Sequence, residues 1–161
     1  MRKVFLLSLL VITLIACSEK EETIVEEETD PYTHYDQSWQ GEFNGLNSKV
    51  TEVVTANDIN GVRMVGIKLE LENTGENNFL ISPNVMMLTL STGETIDGPF
   101  DYSPAGIDGT IAPGAIIVSN INFNGGTDVN DLEWIQFHWY VMDTDAKTDI
   151  KESYAVKLEL N

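Results

Sequence analysis

The sequence predicts an all-β protein, an antiparallel β-sandwich of about seven to eight short strands. Hydrophobic and polar residues alternate with a period of two in several segments, which is typical of half-buried strands. Short sequences rich in Gly, Asn and Pro separate these segments and favour the backbone conformations of tight turns. No long segment has a helical period, so two packed sheets are the expected architecture.

The N-terminal residues have the layout of a secretory signal. Arg2 and Lys3 precede an uncharged, mainly apolar run from Val4 to Ala16, which is the order of the basic and hydrophobic regions in signal peptides. This run is shorter than the roughly 20 apolar residues that cross a bilayer. We therefore expect residues 1–16 to be a cleaved signal peptide rather than a membrane span.

The signal ends in Leu14-Ile15-Ala16-Cys17, and Cys17 is the only cysteine of the chain. This tetrapeptide resembles the lipobox of bacterial lipoproteins, in which the thiol receives a diacylglyceryl group and cleavage occurs just before the cysteine. The resemblance implies a lipid anchor at Cys17, with the protein attached to the cell membrane or the outer membrane and its domain extracytoplasmic. A single cysteine also excludes an intramolecular disulfide.

Acidic side chains dominate residues 17–38, which contain eight Asp and Glu residues and one lysine. Such a composition buries little apolar surface, so we expect a disordered tether of roughly 60–70 Å at full extension. Removal of residues 1–16 takes away Arg2 and Lys3 and changes the formal net charge from −17 to −19. That charge repels phosphate groups, so nucleic acid is not an expected partner.

The folded domain is expected to occupy residues 39–161, the usual size of one domain. Two segments alternate most clearly, with inward positions at Val65, Ile67, Leu69 and Leu71 and at Tyr154, Val156, Leu158 and Leu160. The other predicted strands are Ser48–Ala56, Phe79–Ile81, Met86–Leu90, Ala115–Phe123 and Trp134–Met142. One short helical turn is expected at Asp128–Leu132.

The order of the strand and turn motifs resembles a known family. KLELENTGENNFLISP is followed by LTLSTGETI, then by IDGTIAPGA and INF. This succession resembles the telokin-like, immunoglobulin-fold domain of many small bacterial lipoproteins, over about Leu46 to Val141. The resemblance implies an immunoglobulin-like sandwich in a lipoprotein setting. That family is largely of unknown function, so the resemblance implies no reaction.

The sequence lacks the common signatures of catalysis. Its two histidines are His34 in the predicted tether and His138 in a predicted strand, and no Gly-x-Ser-x-Gly motif occurs. We therefore expect no catalysis and no cofactor. Asp143, Asp145 and Asp149 are weak candidates for a metal site because hard cations bind clustered carboxylates. They lack the glycine and terminal glutamate of a calcium loop, which favours a solvated acidic hairpin instead.

The segment EWIQFHWYVM supplies the candidate binding face. If its core-facing residues are Ile135, Phe137, Trp139 and Val141, the outward residues are Trp134, Gln136, His138 and Tyr140. Aromatic side chains clustered on an exposed surface often mark contact sites. Two alternatives remain open. Another segment, such as residues 32–39, covers the face, or a register slip of one residue inverts every assignment.

These features predict a lipid-anchored binding or interaction module of the cell envelope. Its expected partners are the membrane, through Cys17, and an envelope protein, peptide or glycan, through a sheet face or loops. One alternative is a structural accessory subunit of an envelope complex. The other is a hydrolase with dispersed carboxylates.

Overall fold

A computed structural model describes residues 30–59, 62–103, 109–125, 129–146 and 150–161. They form two antiparallel β-sheets packed face to face, which confirms the predicted all-β, immunoglobulin-like sandwich. The predicted signal peptide, Cys17 and most of the predicted tether lie outside the described residues.

Eleven strands build the two sheets within the described ranges. In chain order they are β1 (Tyr32–Phe43), β2 (Leu46–Ile59), β3 (Val62–Asn73), β4 (Phe79–Ile81), β5 (Met87–Leu90), β6 (Thr95–Asp97), β7 (Asp101–Ser103), β8 (Gly109–Ile111), β9 (Ile116–Asn124), β10 (Trp134–Asp143) and β11 (Ile150–Glu159). The first sheet has the order β1-β2-β3-β9-β7, and the second has the order β6-β5-β10-β4-β8, with β11 paired to β10. The count exceeds seven to eight because the prediction omits β1 and the three-residue strands β6, β7 and β8.

The helical segments of the described part are short. Two 3-10 turns lie at Pro83–Val85 and Val129–Asp131, and the second falls within the predicted helical turn Asp128–Leu132. No helix in the described ranges is long and apolar enough to cross a membrane.

The first strand corrects the predicted boundary between tether and domain. Residues 32–38, which the composition assigned to the tether, belong to β1 and pair with β2. The strand is anchored by Trp39, whose ring centroid lies 5.2 Å from that of Trp139 in the opposite sheet. The acids are concentrated before Pro31, and only Asp36 follows among residues 32–38. The folded part therefore includes residues 32–38, which the prediction had assigned to the tether.

The predicted inward positions of β3 and β10 are confirmed. All eight of these side chains are at most 2% exposed, and Val156 and Leu158 of β11 are buried with them, as is Leu160 just after the strand. Each such burial contributes about 1.5–3 kcal/mol relative to an exposed side chain. Because both strands bury the predicted face, the alternative of a one-residue register slip in β10 is wrong.

Four aromatic rings close the sandwich on the side where β1 approaches β11. Trp139 stacks on Phe137 and on Tyr154, with ring centroids 4.7 and 4.8 Å apart. Trp39 lies edge-on to Trp139 and to Tyr154, at 5.2 and 5.4 Å. Such aromatic pairs stabilise by about 0.5–1.5 kcal/mol beyond the area that they bury. The cluster therefore joins β1 of the first sheet to β10 and β11 of the second.

Asn73, at the end of β3, is fully buried and connects the two sheets. Its Nδ2 atom donates to the carbonyl oxygens of Asn77 (2.8 Å) and Ile111 of β8 (2.9 Å). Its Oδ1 atom accepts a hydrogen bond from the Gly75 backbone amide (3.0 Å). The backbone amide of Asn73 donates to the Ala115 carbonyl (2.9 Å). One carboxamide thus satisfies three backbone groups around the predicted Asn-Thr-Gly turn.

The substitution Asn73→Ala is expected to lower the free energy of unfolding by about 2–4 kcal/mol, because it removes three hydrogen bonds and leaves buried carbonyl groups without partners. Urea denaturation measures the change. Asn124→Ala, at an exposed position of β9, is the matched control and should alter stability by less than about 0.5 kcal/mol. A similar effect from both substitutions would show that Asn73 has no special role.

The environment of the Tyr154 hydroxyl predicts that the folded protein loses stability at alkaline pH. Burial raises the pKa of its hydroxyl above the usual value, the nearby carboxylates of Glu152 and Glu42 add to the rise, and the Ser48 hydroxyl opposes it. In the unfolded chain the Tyr154 hydroxyl ionises at about pH 10, whereas in the folded protein it stays neutral at that pH. The stabilisation that comes from the neutral hydroxyl is therefore complete below about pH 10 and disappears as pH rises through the folded-state pKa.

Urea midpoints measured between about pH 9 and pH 11.5 test this dependence. The upper end of this range lies about 1.5 units above the ordinary tyrosine pKa. The unaltered protein should lose more stability across the range than Tyr154→Phe, which has no group to ionise. Tyr140→Phe serves as the matched control and should retain the full slope. Parallel slopes for all three proteins would contradict the assignment to Tyr154.

Candidate functional site

The predicted binding face lies on β10 and has the predicted orientation. Trp134, Gln136, His138 and Tyr140 alternate with buried core residues and lie on the outer side of the second sheet. All four are half-buried rather than exposed, because β11 pairs with one edge of β10 while β5 and β4 pair with the other. Residues 32–39, the suggested cover, belong mainly to β1 in the other sheet.

Neighbouring side chains occupy part of this β10 face. The Lys157 ammonium lies over the Trp134 ring, 4.9 Å from its centroid. Ala155 and Met87 flank His138 in register, and the His138 Nε2 atom is buried without a hydrogen-bond partner among the described residues. The aromatic residues therefore lie on a sheet surface that their cross-strand neighbours partly cover.

The weak metal candidates have a structural role where they are described. Asp143 is 2% exposed, and its Oδ1 atom accepts hydrogen bonds from the amides of Asp145 and Ala146, both at 3.1 Å. Its Oδ2 atom accepts one from Asn77 Nδ2 at 2.8 Å. Asp145 Oδ2 accepts from the backbone and side chain of Asn78, at 2.8 and 2.7 Å. These hydrogen bonds join the turn at residues 77–78 to the turn at residues 143–146. Asp143 is therefore not part of a solvated hairpin.

Asp149 lies outside the described residues, so its part of the predicted cluster has no described geometry. No group of three or more His, Cys, Asp or Glu side chains within the described ranges is placed to hold a metal ion.

A concavity of about 350 Å³ lies on the outer face of the first sheet. We call it the outer-face concavity. It is lined by Tyr32, His34, Glu52, Val54, Met64, Gly66, Ile67, Lys68, Asn120 and Asn122. These residues come from β1, β2, β3 and β9, so the site spans four adjacent strands.

Gly66 of β3 lies at the floor of this concavity. Its register partners are Val54 on β2 and Asn122 on β9, so it occupies the middle of a row across the sheet. A Cβ atom at this position would lie 2.9 Å from Asn122 Oδ1 and 3.7 Å from Val54 Cβ. Any side chain at residue 66 would therefore project into the concavity and displace the Asn122 carboxamide.

Tyr32 and His34 of β1 form one rim of the concavity. The His34 Nδ1 atom lies 2.8 Å from Glu52 Oε1, and its Nε2 atom lies 3.7 Å from Asp30 Oδ2. The Tyr32 ring packs edge-on against the imidazole, with centroids 6.4 Å apart, and remains 41% exposed. The two carboxylates hold the imidazole in place, and the phenol ring stays accessible to a ligand.

Asn120 and Asn122 of β9 form the opposite rim, and Lys68 of β3 borders the concavity between Glu52 and Asn120. Asn122 Nδ2 is 3.4 Å from Asp101 Oδ2, a long hydrogen bond that leaves the carboxamide free to exchange partners. Lys68 and Asn120 are exposed, and Lys68 makes no ion pair with another described residue. This rim therefore presents hydrogen-bond donors and acceptors that the fold itself does not require.

The sequence analysis did not identify this site. It placed Tyr32 and His34 within the predicted tether, residues 17–38, and it assigned no role to Gly66. A usable signal was the Asn44-Gly45 dipeptide, which favours a two-residue hairpin and so implies a strand before it. In the structure Asn44 and Gly45 have φ values of 50° and 91°, as a type I′ turn requires.

The comparisons with known proteins bear on the fold. No protein-family model matches the chain, and no curated protein matches it significantly. The structure is similar to that of a functionally unknown protein from Listeria monocytogenes EGD-e, with a TM-score of 0.56, 12% identity, and coverage of 81% of this chain and 88% of that one. It is also similar to a conserved hypothetical protein from Bacillus anthracis, with a TM-score of 0.45, 12% identity, and coverage of 76% and 98%. The likeness to the Listeria protein supports the β-sandwich and nothing beyond the fold.

Proposed function

We propose that this chain is a lipid-anchored binding module of the cell envelope and that its ligand occupies the outer-face concavity. The N-terminal signal layout and the lipobox-like Leu14-Ile15-Ala16-Cys17 support the anchor. The observation that carries the binding role is the concavity over Gly66, whose volume falls near the lower end of the roughly 300–1,000 Å³ typical of ligand pockets.

The concavity supports binding better than the β10 face does. A ligand there can meet the exposed ring of Tyr32, the carboxamides of Asn120 and Asn122, and the ammonium of Lys68 within one depression. The β10 face offers half-buried rings on an inner strand, one of them under Lys157. Enclosure matters because a depression removes more ligand surface from water than a sheet surface does.

The lining also favours binding without catalysis. His34 and Glu52 form a hydrogen-bonded pair of the kind that activates a nucleophile. However, the described residues that line the concavity include no Ser, Thr or Cys for that pair to activate. The imidazole and carboxylate are better suited to orient polar groups of a ligand.

A structural accessory subunit is the second candidate. Ile116 and Val118 of β9 are 65% and 41% exposed, on the same outer face as the concavity. Exposed apolar side chains grouped on one surface often mark protein contacts. Purification of the full chain in one fixed stoichiometric complex, lost on substitution of both residues by threonine, would favour this alternative.

The proposed anchor predicts that Cys17→Ala abolishes lipid modification. In a bacterial host, the full chain should partition into the detergent phase of a Triton X-114 extraction, and its mass should include acyl groups attached to Cys17. Cys17→Ala should move to the aqueous phase or retain its signal, because acyl chains provide the membrane affinity. Ser18→Ala is the control and should behave like the unaltered chain. An unaltered chain recovered without acyl groups would contradict the anchor.

The proposed site predicts that Gly66→Val abolishes ligand capture while the sandwich remains folded. A Cβ atom at residue 66 would lie 2.9 Å from Asn122 Oδ1 and at ordinary contact distance from Val54, so the new side chain enters the concavity and displaces the Asn122 carboxamide. Full-length protein in detergent would be immobilised and exposed to envelope extract, and captured protein and glycan would be quantified. Circular dichroism would verify the fold of every variant.

Ser153→Val, on the outer face of β11, is the matched control and should capture as much as the unaltered protein. Trp134→Ala should also retain capture, because the β10 face is separate from the concavity. Loss of capture with Trp134→Ala but not with Gly66→Val would transfer the site to the β10 face. Equal capture by all variants would refute both locations.

A further inference from the structure

The backbone at the floor of the outer-face concavity is already paired on both sides. Gly66 lies in β3 between β2 and β9, and all three strands exchange ladder hydrogen bonds on both sides of this row. A peptide that binds by strand addition needs a free strand edge, which an inner strand does not provide. A ligand that lies over Gly66 therefore depends on side-chain groups, since among the described strands that line the concavity only β1, at its rim, is an edge strand.

The available polar groups both donate and accept hydrogen bonds. Asn120 and Asn122 lie two residues apart on one face of β9, so their Cα atoms are separated by about 7 Å. Each carboxamide offers two donor hydrogens and one acceptor oxygen. Hydroxyl groups on a compact ring also donate and accept. A polyhydroxylated ligand can therefore satisfy both carboxamides together.

The same concavity has an apolar component. The Tyr32 ring is 41% exposed, and the half-buried side chains of Val54 and Met64 contribute to the lining. An aromatic ring beside polar groups suits a ligand with one apolar face and a polar rim. A sugar ring has this form, because its C–H groups lie on its faces and its hydroxyl groups project from its edge.

The charges around the site select against anionic ligands. The carboxylates of Glu52, Asp30 and Asp101 lie in or beside the concavity, and the whole chain carries a formal charge of −17. These charges repel an anionic ligand. Lys68 is the register partner of Glu52, so its ammonium offsets only part of this negative charge. A neutral ligand avoids the repulsion that an anion meets.

From these four features we infer that the outer-face concavity binds a neutral saccharide. One sugar ring lies over Gly66, with a C–H face toward Tyr32 and hydroxyl groups toward Asn120 and Asn122. The inference rests on the proposed function, since it names the ligand class of the same site. The open shape of the concavity admits either a short free oligosaccharide or a segment of a longer polymer.

A glycan array containing neutral and acidic oligosaccharides, probed with the full-length protein in detergent, tests the inference. The strongest neutral trisaccharide would then be measured by isothermal titration calorimetry. Tyr32→Ala and Asn120→Ala should each raise Kd about three- to tenfold, the effect of losing one ring contact or one hydrogen bond. Gly66→Val should remove measurable binding.

Matched controls separate these effects from general destabilisation. Tyr140→Ala removes an aromatic ring from the opposite sheet, and Asn124→Ala removes a carboxamide from β9 outside the lining. Both should leave Kd unchanged. Stronger binding of acidic than of neutral glycans, or equal effects of lining and control substitutions, would overturn the saccharide assignment.

The array also distinguishes the two sources of the sugar. Binding to free neutral trisaccharides with the same affinity as to polymer supports a soluble oligosaccharide, whereas binding only to isolated cell-wall glycan strands supports a polymer. If no neutral glycan binds but Gly66→Val still abolishes capture from envelope extract, the saccharide is wrong and the proposed site stands. If capture is also insensitive to Gly66→Val, the proposed site fails as well.

Discussion

The buried carboxamide of Asn73 is the constraint on which the arrangement of the strands depends. It closes the turn after β3 and bonds to the backbone of β8 in the other sheet, so one side chain sets how the two sheets meet. The next residue, Thr74, donates from its amide and its hydroxyl to the Gly45 carbonyl, both at 2.8 Å. The β1–β2 hairpin is thereby docked on this turn, and a Cβ atom at Gly45 would lie only 2.7 Å from Gly75 Cα. The hairpin places His34 at the rim of the concavity.

The parts of the fold that depend on local alternation were predictable. The pleat of a strand places alternate residues on opposite faces whatever lies beside it, so the inward positions of β3, β10 and β11 followed from the sequence alone. The start of β1 was missed because the acidic composition of residues 17–30 was extended to Ser38. In this case the Asn44-Gly45 turn was the better guide, since it fixes a hairpin and the strand that precedes it.

The candidate site was less predictable because it depends on which strands become neighbours. Alternation showed that Trp134 and Tyr140 point outward, but their exposure is reduced by pairing with β11, β5 and β4, which the sequence does not specify. The concavity joins Tyr32, Glu52, Gly66 and Asn122 from four strands separated widely along the chain. Gly66 acquires a role only once Val54 and Asn122 flank it, because the missing side chain then becomes a space.

The beginning of the folded part lies at the same rim as the proposed site. Asp30 Oδ1 accepts a hydrogen bond from the Tyr32 amide at 3.0 Å, and Asp30 Oδ2 lies 3.7 Å from His34 Nε2. If Cys17 carries the lipid, twelve residues lie between the anchor and Asp30, a span of about 45 Å at full extension. The concavity is then confined to a layer near the membrane, because Asp30, the first described residue, lies at its rim. A ligand attached to the envelope enters this layer more often than a dilute solute does, since confinement raises its effective concentration. Even weak contacts from one ring and two carboxamides can then give appreciable occupancy.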